Sequence, residues 1–162
     1  MARDAGALSY DAPRLMTEPV THSLVKALRG VDAFASLDEE ALLRVVGVSS
    51  NLAWRRGSEV FEAGSPAEAL YVVLSGRVRI LDPANGGREV AALGPGDSFG
   101  EISLLLLTKH TKNAVAEEDA ELMVIPHDSF RELVETNPEL AGYFRRLMEQ
   151  RLPVRGDTAD SV

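Results

Sequence analysis

The chain has 162 residues, of which 45% are apolar, and this suits one domain with a modest hydrophobic core. Seventeen basic residues against 25 acidic ones give a formal net charge of −8, which disfavours nucleic-acid binding through general surface charge. The chain has no cysteine, so disulfides, thiolate metal ligands and thiol nucleophiles are excluded. We therefore expect a cytoplasmic protein without redox chemistry.

The first nineteen residues contain no continuous apolar segment, so they resemble neither a signal peptide nor a membrane span. We predict a flexible leader over 1–19 and a single domain over 20–152. The last residues are polar, and we predict a disordered tail over 153–162.

Two short amphipathic helices are predicted before the first strand. Apolar residues recur at helical spacing over 20–29, and Gly30 follows as a stop signal. Ser36 and Glu39 match a capping-box pattern, which predicts that Ser36 caps a second helix over 37–48.

From Asn51 onward, short β-rich segments alternate with glycine turns, as in an all-β sandwich or roll. The clearest hairpin is ALYVVLSGRVRIL, in which Val78 and Ile80 alternate with two arginines. Helical spacing returns after Pro126, where Asp128 is predicted to cap one helix and Pro138 to begin another. The order predicts an α+β fold: a jelly-roll-like antiparallel β-roll of about eight strands, flanked by N-terminal and C-terminal helices.

The strongest site signal is the segment 96–107, GDSFGEISLLLL. Gly96 and Gly100 allow a tight turn, and good helix formers begin at Glu101. The first amides of such a helical turn could bind a phosphate, and the Glu101 carboxylate could accept a hydrogen bond from a sugar hydroxyl. Glu101 could equally do no more than stabilise the helix N-terminus. The residues alone leave both interpretations open.

A longer pattern resembles a known family. It consists of SEVFEAGSPAEALYVVLSGRVRIL, LGPGDSFGEISLL and NAVAEEDAELMVIPHDSF, which are similar to the cyclic-nucleotide-binding domain of catabolite-activator-type regulators, cyclic-nucleotide-dependent kinases and cyclic-nucleotide-gated channels. The resemblance covers roughly residues 30–150. It implies a non-catalytic regulatory module that binds cyclic AMP or cyclic GMP and transmits binding through its C-terminal helices.

In that family, the short helix after the FGE triplet and the following strand form a phosphate-binding cassette. The resemblance therefore implies a ligand site made of Phe99, Gly100, Glu101, Ile102, Ser103, His110, Thr111 and Lys112. Glu101 would bind the ribose 2′-hydroxyl, and Ser103 would offer its amide to the phosphate.

The cassette departs from the family pattern at its phosphate-binding arginine. Alignment without gaps places Lys109 at the family's proline and His110 at the arginine. Neither side chain reproduces the two hydrogen bonds of a guanidinium fork. Three substitutes are open: a point charge from Lys109 or Lys112, a protonated His110 that strengthens binding in mild acid, or the helix amides alone.

Two neighbouring residues add to this departure. Thr111 occupies a position where threonine is associated with cyclic GMP in the kinase and channel members. Lys112 replaces a small residue that faces the ligand or the roll interior.

Two other functions are compatible with the sequence. The chain could be a degenerate cassette that acts as a protein-interaction module, or the sensor fragment of a larger enzyme, channel or transcription factor. No helix-turn-helix pattern follows Pro153, so direct DNA binding is not expected. Three dispersed histidines without sulfur donors, and no Gly-x-Ser-x-Gly motif, lead us to expect neither a metal site, nor a cofactor, nor catalysis.

Overall fold

The computed structural model describes residues 7–9, 18–106 and 108–151. The helices are α1 (Glu18–Arg29), α2 (Glu39–Val48), α3 (Glu101–Leu106), α4 (His127–Thr136) and α5 (Pro138–Arg151). The strands are β1 (Ala7–Ser9), β2 (Ser50–Trp54), β3 (Glu59–Phe61), β4 (Ala69–Ser75), β5 (Val78–Asp82), β6 (Arg88–Leu93), β7 (Ser98–Phe99), β8 (Asn113–Ala116) and β9 (Ala120–Pro126). Short 3₁₀ helices occupy Asp32–Phe34 and Pro83–Asn85.

The strands form two facing antiparallel sheets. One has the order β1-β2-β9-β4-β7, and the other has the order β3-β8-β5-β6. The predicted α+β class and antiparallel β-roll are confirmed, with nine strands in the described part of the chain where about eight were expected. No helix in the described ranges is both long enough and apolar enough to cross a bilayer.

Strand alternation separates two cores. In β4, Tyr71 and Val73 pack inside the roll, whereas Leu70 and Val72 pack under the helices, so this central strand is apolar on both faces. In β5, Val78 and Ile80 face the roll interior, and Arg79 between them is partly exposed and bonded to Glu89 at 2.8 Å. The predicted alternation of this hairpin is confirmed.

The helices cover the outer face of the five-stranded sheet. Phe34, Leu42, Phe130 and Phe144 are fully or almost fully buried there, and the rings of Phe130 and Phe144 meet edge to face at 5.1 Å. Leu104 of α3 belongs to the same core. The short helix therefore shares one apolar core with the C-terminal helices.

The predicted cap at Ser36 is wrong. The amide of Leu37 bonds to the carbonyl of Phe34, so the chain around Ser36 still belongs to the preceding turn. Asp38 is extended instead, and its carboxylate accepts a hydrogen bond from the amide of Ala41 at 2.8 Å. The nearer acidic side chain therefore satisfies the free amide, and α2 begins at Glu39 rather than at 37.

The predicted cap at Asp128 is also wrong. Helix α4 already begins at His127, and its N-cap is Pro126, which makes no side-chain capping bond. Asp128 lies in the first turn, where its carboxylate bonds to the Nδ1 of His127 at 3.0 Å. The start of the next helix at Pro138 is confirmed.

A pair of alanine substitutions tests the assignment of the α2 cap. Asp38→Ala is expected to lower the free energy of unfolding by about 1 kcal/mol, because it removes the acceptor of the Ala41 amide. Ser36→Ala should change it by less than about 0.5 kcal/mol. Urea unfolding of both variants measures the difference. Equal losses in the two variants would contradict the assignment.

The predicted tail over 153–162 lies outside the described residues, as does most of the leader. The described part of the leader includes β1, in which Ala7 lies opposite Trp54 of β2.

Candidate functional site

The turn from β7 into α3 forms the centre of the candidate site. Phe99 lies opposite Tyr71 of β4 and is fully buried. Gly100 then adopts a positive φ of 90°, and a Cβ there would approach the carbonyl of Ala69 and the ring of Tyr71 at 3.3 Å. Glycine is therefore needed for both backbone conformation and space, as the sequence predicted.

The first turn of α3 carries two of the predicted ligand residues. Glu101 is fully buried, and Ser103 is 9% exposed. The amide of Ser103 makes no hydrogen bond to any residue that the structure describes, whereas its carbonyl accepts the amide of Thr108 at 2.9 Å. An amide left without a partner in a first helical turn is suited to bind an anion. The side chain of Ile102 lies outside the described part.

His110 lies where the sequence alignment places the arginine, but its ring is packed as an aromatic side chain. It is 4% exposed and stacks on Phe61 of β3 with 3.6 Å between ring centroids and 3° between planes. Phe61 in turn contacts Tyr71 and Phe99. Burial lowers the pKa of His110 to about 4, because the charged imidazolium would lose its hydration.

This low pKa argues against protonated His110, which was one of the three substitutes considered for the arginine. A histidine with a pKa of about 4 is neutral at pH 6, so protonated His110 does not supply a cation to a ligand in mild acid. The imidazole instead belongs to the aromatic wall of the roll.

Lys112 places a cation inside the roll. It alternates with Ala114 and Ala116, which belong to the interior core, and it is only 4% exposed. Its Nζ lies 3.4 Å from the Oγ1 of the exposed Thr111. A buried ammonium is costly unless negative charge or polar groups compensate it, so Lys112 is suited to pair with an anion or a counter-charge.

The matching family model agrees with this geometry. It is described as the cyclic nucleotide-binding domain and matches residues 52–137, more than half of the 162-residue chain. The chain belongs to the cyclic-nucleotide-binding domain family.

Several proteins of known sequence or structure resemble this cyclic-nucleotide-binding domain. The cyclic AMP receptor protein of Thermus thermophilus is 33% identical over 127 residues, which cover 77% of this chain and 59% of that protein. The chain thus spans little more than half the length of this curated relative.

Two solved structures share the fold. The sensor domain of the transcriptional regulator DNR from Pseudomonas aeruginosa has a TM-score of 0.73 at 22% identity, covering 82% of this chain and 90% of that one. The regulatory subunit of a cAMP-independent protein kinase A from Trypanosoma cruzi, bound to guanosine, has a TM-score of 0.72 at 18% identity, covering 80% and 46%. At these identities the two structures support the fold alone.

The remaining cassette residues of the domain lie outside the roll interior. Thr111 and Lys109 are exposed. Lys109 forms an isolated bridge with Pro66 and lines a cleft beside Leu104 and His127, at the start of α4. Of the two lysines considered as substitutes for the arginine, the structure therefore places only Lys112 inside the roll.

Sequence reasoning missed two residues of the candidate site. Phe61, which holds His110, is separated from it by more than forty residues, and nothing local signals their stacking. The inward position of Asp82 could have been predicted, because Asp82 follows Val78 and Ile80 at the same two-residue alternation. An acid at an inward position of a strand is the signal that could have identified it.

Proposed function

We propose that the domain binds cyclic AMP or cyclic GMP between the roll and the cassette and acts as a non-catalytic, cytoplasmic regulatory module. The observation that supports this most is the buried lysine directly before β8, Lys112, in a cassette that otherwise lacks the arginine. A phosphate carried into the roll would find one cation there.

Three groups of this chain would hold the ligand. The amide of Ser103 and the ammonium of Lys112 would bind the phosphate, and the Glu101 carboxylate would accept a hydrogen bond from the ribose 2′-hydroxyl. A lysine acts as a single point charge, whereas arginine supplies two parallel hydrogen bonds. One charged hydrogen bond is worth roughly 1.5–3 kcal/mol. We therefore expect affinity about ten- to a hundredfold below that of a cassette with arginine.

The helices that would report binding belong to the same apolar core as the cassette helix. Leu104 of α3 shares its core with Phe130 of α4 and with Leu140 and Phe144 of α5. If ligand binding draws α3 toward the roll, this shared core must repack. The C-terminal helices would then have two positions, and the ligand would favour the conformation of the domain that it binds more tightly. The size of the population shift depends on the difference between the ligand's affinities for the two conformations. Any direct contact of the whole protein with DNA would be made by segments other than this domain.

A nucleoside is the second candidate ligand. It is favoured by the neutral, stacked His110 at the position of the arginine, which leaves one cation fewer for a phosphate than the family pattern has. The guanosine-bound kinase subunit from Trypanosoma cruzi shows that this fold can hold a nucleoside. Calorimetric titration with cyclic AMP, cyclic GMP, adenosine and guanosine separates the two candidates. Heat from none of the four would favour the degenerate interaction module.

Glu101→Ala tests the placement of the ribose. It is expected to weaken binding of the preferred cyclic nucleotide by about ten- to a hundredfold, because the 2′-hydroxyl loses a charged acceptor. Calorimetry of the wild type and the variant measures this. Glu118→Ala, which removes an exposed carboxylate from the β8–β9 turn, is the matched control and should bind like the wild type.

Thermal unfolding of both variants checks that each remains folded under the titration conditions. Binding by folded Glu101→Ala with wild-type affinity would refute the placement.

A further inference from the structure

A buried acid, Asp82, lies near the buried lysine of the cassette. Strands β5 and β8 are antiparallel, with Val78 opposite Ala116 and Leu81 opposite Asn113. Asp82 ends β5 and Lys112 directly precedes β8, so both lie at the same end of this strand pair, one residue beyond the paired Leu81 and Asn113. The two residues are 2% and 4% exposed. The positive charge of Lys112 acts on the Asp82 carboxylate, so the two groups are near enough to interact.

Asp82 is held in place by groups other than Lys112. Its carboxylate accepts the amide of Ala84 at 3.1 Å and the side-chain amide of Asn85, and so caps the 3₁₀ turn after β5. The Asn85 hydrogen bond is the main cause that lowers the pKa of Asp82, and the positive charges of Lys112 and Arg88 act in the same direction against burial. Asp82 is therefore a fixed negative charge at the edge of the roll interior.

Lys112 is not bound as firmly. An ammonium has three donors, and among the residues that the structure describes its only hydrogen bond is the long one to Thr111. No described ion pair within 4 Å joins it to Asp82, so the acid attracts Lys112 at longer range without saturating its donors. Such an ammonium can be turned toward a second anion.

We propose that Asp82 competes with the ligand's phosphate for Lys112, so that this acid sets the affinity of the domain for anionic ligands. Ligand binding transfers the ammonium from the field of Asp82 to the phosphate. A neutral nucleoside needs no such transfer, so Asp82 discriminates between a nucleoside and a cyclic nucleotide. This proposal rests on nucleotide binding at the same site, as proposed above.

The test compares the wild type with Asp82→Asn in calorimetric titrations with cyclic AMP, cyclic GMP, adenosine and guanosine. Asparagine keeps an oxygen that can accept the Ala84 amide but removes the charge. We expect about tenfold tighter binding of the cyclic nucleotide and less than twofold change for the nucleosides. Glu89→Gln on β6 removes an exposed charge from the same sheet and controls for net charge; its affinities should stay within twofold of wild type.

The outcomes separate this inference from the proposed function. If the wild type binds a cyclic nucleotide and Asp82→Asn binds it with the same or lower affinity, the proposed competition is overturned. The proposed function is then unaffected. Binding of a cyclic nucleotide by Asp82→Asn but not by the wild type would support the competition. Absence of cyclic-nucleotide binding in both proteins would overturn the proposed function and the competition together.

Lys112→Gln adds a second constraint. It should weaken cyclic-nucleotide binding about tenfold without affecting nucleosides, and wild-type affinity in this variant would overturn the role of the ammonium. If Asp82→Asn does not fold, Asp82→Ser keeps a short acceptor at the cap and serves in its place.

Discussion

Gly76→Ala is expected to lower the free energy of unfolding by at least about 3 kcal/mol. Gly76 turns the chain from β4 into β5 with φ at +83°. An alanine Cβ at this position would lie 2.3 Å from the carbonyl oxygen of Asp119 and 2.7 Å from the Cα of Ala120. Both neighbours are backbone atoms at the turn before β9, so the strain cannot be relieved by rotating a side chain. One of the two hairpins must shift.

Gly57→Ala is the matched control for Gly76→Ala. Gly57 has nearly the same φ, +87°, but a Cβ there would meet no atom within 4 Å. The free energy of unfolding of this variant should therefore fall only by the cost of placing alanine in the left-handed conformation, about 1–2 kcal/mol. The difference between the two urea unfolding energies isolates the steric clash. Similar losses at both positions would show that the hairpins yield more easily than their packing indicates.

The second large expected effect is a loss of stability in acid that depends on His110. Its pKa is about 4 in the folded domain and about 6.5 in an unfolded chain. Between these values the unfolded chain binds a proton that the folded domain does not, so the free energy of unfolding falls as the pH falls. From pH 7 to pH 4 the contribution of this one residue is about 3 kcal/mol.

Comparison with His110→Phe measures this contribution. Phenylalanine can keep the stack on Phe61 but does not titrate, so the variant should lose less stability between pH 7 and pH 4. Carboxylates contribute equally to both proteins and cancel in the difference. Parallel pH profiles from urea unfolding would contradict the low pKa. Because His110 is neutral at pH 6, we also expect no acid enhancement of nucleotide binding from this residue.

The sequence anticipated the backbone structure around the candidate site well where the signals are local. The glycine at 100 predicted the tight turn, and the helix formers after it predicted α3, which the structure has at Glu101–Leu106. Local signals were less reliable at helix ends. Ser36 and Asp38 are both good caps, and the choice between them depended on the preceding 3₁₀ turn, which uses the amide of Leu37. No pattern within a few residues encodes that turn.

The cassette illustrates the same division in chemical terms. The absence of the arginine, and the presence of His110 and Lys112 near its position, follow from the order of residues alone. Their roles do not, because an imidazole can be a cation or an aromatic ring, and its environment decides which. The stack on Phe61 excludes water from His110, and the pairing of β5 with β8 brings Asp82 near Lys112.

Alternation and turn residues, which act over a few positions, were therefore enough to predict a β-sandwich or roll, whereas the cassette was identified through the resemblance of a longer pattern to the family. The charge states and partners inside the roll were decided by tertiary structure, since they depend on strands that are distant in the chain but adjacent in space. Burial alters the free energy of every charge it encloses, and only the folded arrangement determines which charges are enclosed together.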